Sequence, residues 1–97
     1  MNSKVVLEEL IKFSKECGIK VIRDTLSKSR GGACILKNEN IIVLNKFFPI
    51  ERQASLLARC LGEINPPQLE SMKDQKLQKY IIDEYGADKT TPIEFNV

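Results

Sequence analysis

The sequence predicts a single α+β domain in the order α-β-β-β-α-α. Three patterns carry that expectation. Residues 3–17 hold an amphipathic repeat, two β-prone runs flank "NEN" at 38–40, and residues 49–64 hold the most regular helical period in the chain. Together they give a small, mostly antiparallel three-stranded sheet packed against helices.

The first helix is read over 3–17. Val6, Leu10, Phe13 and Cys17 recur at steps of four, three and four, so they share one face. Leu7 and Ile11 widen that stripe, and Lys4, Glu8, Lys12, Lys15 and Glu16 occupy much of the remainder. Asn2 or Ser3 suits the cap, and Gly18 suits the stop because it tolerates positive φ. "IKVIR", 19–23, is short and β-branched and reads as a strand. "DTLSKSRGG" reads as a loop. "ACILK" and "IIVLN" around "NEN" then make a hairpin, apolar enough that both sheet faces are at least partly covered.

In the second helix, Ile50, Ala54, Leu57, Leu61 and Ile64 recur at four, three, four and three. Pro49 and Glu51 suit its first turn, and "NPP" at 65–67 stops it. A third helix is expected from about Gln68 to Tyr85, with Leu69, Met72, Leu77, Tyr80 and Ile81 as its stripe and Gly86 as its end. Residues 1–86 form the domain. The tail, 87–97, has no clear period and is either frayed or packed as one extended piece by Ile93 and Phe95.

Composition excludes more than it selects. The 97 residues suffice for one domain, and 42% apolar content allows a modest core. No apolar run approaches the roughly 20 residues of a membrane span. Glutamates stand where a signal peptide would be apolar, and three widely spaced cysteines suit reduced thiols; both point to the cytoplasm. Net charge is +2, which argues against nucleic acid as a partner. There is no histidine, so a Ser-His-Asp triad, a Cys-His pair and any imidazole zinc site are impossible within the chain. No metal or cofactor is implied.

"ASLLARCLGEI", 54–64, has the rhythm of a zinc-peptidase helix, with Arg59, Cys60 and Glu63 where such a helix carries its ligands and catalytic glutamate. On a helical wheel Arg59 lies about 160° from Leu61, with Arg52 and Glu63 near it, so this face is expected to meet water. An Arg59–Glu63 surface ion pair would be worth about 0.3–0.5 kcal/mol. With the upstream strand, "IIVLNKFFPIERQASLLARCLGEI" resembles the ImmA/IrrE-like metallopeptidases over roughly residues 19–64. By that resemblance Arg59 and Glu63 stand at the two histidine positions and Cys60 at the catalytic glutamate. The resemblance implies a degenerate zincin-like scaffold, and a zinc peptidase site is excluded because the chain has no histidine and Arg59 would repel a cation. "RGGAC" followed by the hairpin and "LNK" also resembles a set of small bacterial proteins to which no activity is attached.

Other candidates each have a plainer reading. Cys34, beside Lys28 and Arg30, could be a nucleophile or redox sensor; otherwise it is a small core residue. Lys28, Arg30, Gly31 and Gly32 could wrap an anion; otherwise "SKSRGG" is a solvated turn whose glycines serve a bulge. Phe47 and Phe48 are expected to be buried against the first or third helix; whichever is exposed marks a contact surface. "KDQKLQK", 73–79, is a nucleic-acid or acidic-partner face, or a solvated helix surface.

The leading function is a non-catalytic protein-interaction or regulatory module, docking through Phe47, Phe48 or the face with Arg52, Arg59 and Glu63. Its partner is another protein, or a second copy if Ile82 and Tyr85 are exposed. The alternatives are a thiol enzyme or sensor using Cys34, and a weak nucleic-acid binder using Lys28, Arg30 and the third helix.

Overall fold

The computed structural model describes residues 2–24, 31–36 and 38–87, without the side chains of 33–36 and 87. The chain is α+β. Its elements are α1 (Ser3–Glu16), β1 (Lys20–Asp24), β2 (Gly31–Leu36), β3 (Glu39–Asn45), α2 (Ile50–Ile64), α3 (Pro67–Glu70) and α4 (Gln75–Ala87). Of the predicted loop at 24–32, Asp24 instead closes β1 and Gly31 and Gly32 open β2; its residues 25–30, like the tail from 88, lie outside the described residues.

α1 is built as its letters ask. Asn2 caps it, its side chain accepting from the Lys4 N–H at 2.8 Å. At the far end Gly18 takes φ +75°. Its N–H donates to the Lys15 carbonyl and the Ile19 N–H to the Ser14 carbonyl, a Schellman closure. Val6, Leu7, Leu10 and Phe13 enter the core, and so does Ser14, whose hydroxyl donates to the Leu10 carbonyl at 2.8 Å.

The sheet is mixed, which corrects the expectation of a mostly antiparallel one. Its order is β1-β3-β2. β2 and β3 form the expected antiparallel hairpin, with Leu36 opposite Glu39 and Asn38 at φ +66° in the turn. β1 pairs with β3 in parallel, Val21 opposite Ile42 and Arg23 opposite Leu44. The cause is helix packing. β1 leaves α1 through the tight Gly18 turn, β3 feeds α2, and α1 packs against α2. The two strands beneath those helices therefore lie side by side. Gly31, at φ +107°, passes so close to β3 that a Cβ there would collide with the Val43 carbonyl.

α2 is the central element, packed against α1, α4, β2 and β3. Its core contacts are Ala54, Leu56, Leu57, Ala58, Cys60 and Leu61, and they meet Ile42 and Leu44 from the sheet. The predicted stripe is correct except at its first member. Ile50 is 36% exposed, because it opens the helix beyond the edge of its neighbours. Asn65, at φ +51°, ends α2.

The third predicted helix is two helices. Asp74 interrupts it by capping α4, its carboxylate accepting from the Leu77 N–H at 3.1 Å. The Gln78 amide reaches back to the Leu69 carbonyl at 2.8 Å and closes α3. Leu77 and Ile81 carry α4 into the core. α4 lies so close to α2 that a Cβ on Gly62 would stand 2.5 Å from the Tyr85 Cβ. Ser55 ties the same seam, donating to Glu84 at 2.7 Å.

Candidate functional site

The residues linking β3 to α2 form a fixed loop around one buried amide. Asn45 ends β3; its side-chain oxygen accepts from the Phe47 N–H at 3.0 Å, and its carbonyl accepts from the Phe48 N–H at 3.1 Å. The Lys46 N–H donates to the Asp24 carbonyl at 2.9 Å, extending the parallel ladder by one bond. Gln53, one turn into α2 and 2% exposed, closes the arrangement. Its amide nitrogen donates to the carbonyls of Phe48 at 2.8 Å and Lys46 at 3.3 Å. Its amide oxygen accepts from Arg23 Nε at 3.1 Å. A single side chain thus ties β1, the loop and α2 together.

That frame aims Phe47 outward. Its ring is 74% exposed, whereas Phe48 is half-buried, so the expected burial of both rings is wrong for Phe47. One bond to the Asn45 side chain, one to its carbonyl and those of the Gln53 amide fix the loop with Phe47 in water and Phe48 half covered. Exposing most of a phenylalanine forgoes about 1–2 kcal/mol of burial. Pro49, Ile50 and Arg52 are exposed around it. What it presents to solvent is an apolar knob with a polar rim.

The face of α2 expected to meet water is dispersed. Arg52 is exposed, but Arg59 is only 8% exposed, a correction to its predicted outward position. The wheel treats α2 as covered on one side, whereas α1, the sheet and α4 enclose it on three. Glu63 is exposed and lies against the Tyr85 hydroxyl, raising that phenol's pKa by hydrogen bonding and by its charge. At the positions where the resemblance would put metal ligands, one side chain is buried and another faces α4. Among the described residues no three Cys, Asp or Glu side chains converge as metal ligands would.

The thiols differ in setting. Burial pushes Cys60 up to about 12, against a small opposing effect from Arg59. Cys17 is half-buried and also raised, first by burial and then by Glu16. Neither has the depressed pKa that a reactive thiol needs. Cys34 lies in β2 opposite Ile41, and its side chain is outside the described residues. So are Lys28 and Arg30; Gly31 and Gly32 are buried strand residues. The cations of α4 are exposed, and Lys79 pairs with Asp83 at 2.8 Å.

Two features escaped sequence reasoning. One is the Gln53 hub, which one glutamine among charged neighbours does not announce. The other is a cleft of about 320 Å³ between α1 and the α3–α4 elbow, floored by Phe13, Met72 and Leu77. Of the predicted candidates, the stretch 73–79 reaches it, through Lys73, Asp74 and Leu77. No helix among the described residues is long and apolar enough to cross a membrane.

No family model, curated protein or solved structure matches this chain.

Proposed function

We propose that the chain is a non-catalytic protein-interaction module that docks through Phe47, with Ile50 and Arg52 at its margin. One observation carries this reading: a phenylalanine 74% exposed on a loop held by a buried glutamine. Single exposed apolar side chains are ordinary on protein surfaces. A large ring at a pinned loop tip differs, because it has little conformational entropy left to lose on docking. Such rings are the usual anchors of protein interfaces. The zincin-like ancestry belongs to the same proposal. It is supported by the order of helix, three-stranded sheet and helix alone, since buried Arg59 and Cys60 do not form the outward face that the resemblance needs.

The experiment is photo-crosslinking with a benzophenone side chain at position 47, and at exposed Asp83 as control. The expected result is a discrete heteromeric adduct from position 47, absent from position 83 and competed away by unlabelled protein. It should not be competed by Phe47→Ser. Adducts equal at both positions, or none at 47, overturn the reading.

Self-association is the second reading, favoured by one observation. Ile82 and Tyr85 on α4 are 53% and 42% exposed, the condition set for a homodimer. Sedimentation velocity from micromolar to millimolar concentration should then show a dimer that Ile82→Lys abolishes. A monomer throughout rejects it.

A further inference from the structure

The cleft between α1 and the α3–α4 elbow has a build that the docking loop does not explain. Phe13 and Leu77 are buried core residues that surface as its floor, with half-buried Met72 between the layers. Its volume, about 320 Å³, is at the lower end for small-molecule sites. The rim is charged in both signs. Lys12 stands on α1 with Glu9 and Glu16 on the same wall, and Lys73 and Asp74 stand on the elbow opposite.

These charges are not spent on one another. Lys12 and Glu16 are four residues apart on one helix, a spacing that allows an ion pair. Yet among the described residues no ion pair joins Lys12, Lys73, Glu9 or Glu16, whereas Lys79 and Asp83 at the same spacing on α4 do pair. The other polar groups at the elbow are engaged. Asp74 accepts from the Leu77 N–H, and the Ser71 hydroxyl donates to the Gln68 carbonyl.

We propose that this cleft binds a free apolar α-amino acid. The floor takes its side chain, Lys12 and Lys73 take its carboxylate, and Glu9 or Glu16 takes its ammonium. A simple anion drawn to the lysines would meet the two glutamates. A simple cation drawn to the glutamates would meet the two lysines. The mixed signs therefore favour a ligand that carries both charges itself over one that carries a single sign. An apolar body with both charges at one end satisfies rim and floor together.

The test is titration calorimetry with L-phenylalanine, alongside 3-phenylpropionate, phenethylamine and glycine. Saturable binding of phenylalanine is expected with a Kd of about 1 mM or tighter. The three controls, which lack the ammonium, the carboxylate and the side chain in turn, should bind at least tenfold more weakly. Lys73→Glu, at an exposed position, should cost at least tenfold with the melting temperature unchanged. Phe47→Ser should leave the titration unaltered, which separates this site from the docking loop. No saturation by 10 mM overturns the proposal, and so does binding of phenylpropionate or phenethylamine equal to that of phenylalanine. Indifference to Lys73→Glu overturns it as well.

Discussion

Gln53→Ala should be among the most damaging polar substitutions in this protein. The side chain is 2% exposed and makes three hydrogen bonds, at 2.8, 3.1 and 3.3 Å. Each is worth about 1 kcal/mol net, the longest less, and leaving the part-buried Phe48 carbonyl without its donor adds about 1 kcal/mol, the low end for an unsatisfied group. Loop rearrangement and water entry recover part of that. The expected loss is about 3 kcal/mol, or a melting temperature about 10–20 °C lower for a domain of this size. Urea unfolding followed by circular dichroism measures it as a lower midpoint at unchanged slope. Gln53→Met separates bonding from volume. It fills the same space but leaves the Phe48 carbonyl without its donor, so it should lose at least 2 kcal/mol as well. Amide exchange at Phe47 and Phe48 should quicken in both variants by more than at Leu57. A loss below about 1 kcal/mol in Gln53→Ala, or a Gln53→Met protein as stable as the parent, would refute the claim that this amide holds the loop.

Other outcomes follow from the same geometry. Gly62→Ala gains about 1 kcal/mol of helix propensity but drives a methyl to 2.5 Å from the Tyr85 Cβ, which turning the ring cannot relieve. Thermal melts should show a net loss of about 1–3 kcal/mol. Stability should also fall in alkali. The folded pKa of Cys60 is raised from 9 to about 12, so its contribution is complete below pH 9 and lost as pH rises towards 12. That rise is worth about 4 kcal/mol. Tyr80, raised from 10 to about 12 by burial and then by Glu84, acts in the same direction above pH 10. Urea titrations from pH 8 to 11 should show the decline, shallower in Cys60→Ala. At pH 8, iodoacetamide should modify Cys60 only in denaturant. Phe47→Ser should change stability by less than about 0.5 kcal/mol, because the ring has so little to lose on folding.

Local chemistry made much of the fold legible. Asn2 and Gly18 bracket α1, "NEN" marks the hairpin, and the four-three-four-three repeat marks α2. Each signal lies within a few residues of what it specifies. The remainder depends on partners distant in sequence. Nothing in "IKVIR" says that it will lie parallel to "IIVLN", since that follows from α1 packing on α2. Arg59 is polar on the wheel and buried in the molecule because α4 returns across α2. The break between α3 and α4 did leave a trace. The stripe Leu69, Met72, Leu77 and Tyr80 steps three, five and three, and a step of five does not stay on one helical face. Asp74 within that gap is a cap residue. Phe47 could not be placed, because adjacent aromatics give no periodicity and the glutamine that sorts them is six residues on.

The parallel pairing of β1 with β3 also sets a timetable for the nascent chain. The first 24 residues hold a helix and a strand whose main partners, α2 and β3, are encoded after residue 38. At about 5–20 residues per second, the ribosome needs about 2–8 seconds to travel from Asp24 to Leu61. During that interval the apolar face of α1 lacks the α2 surface that covers it in the finished fold. A holdase such as a ribosome-associated chaperone would find its substrate in that window.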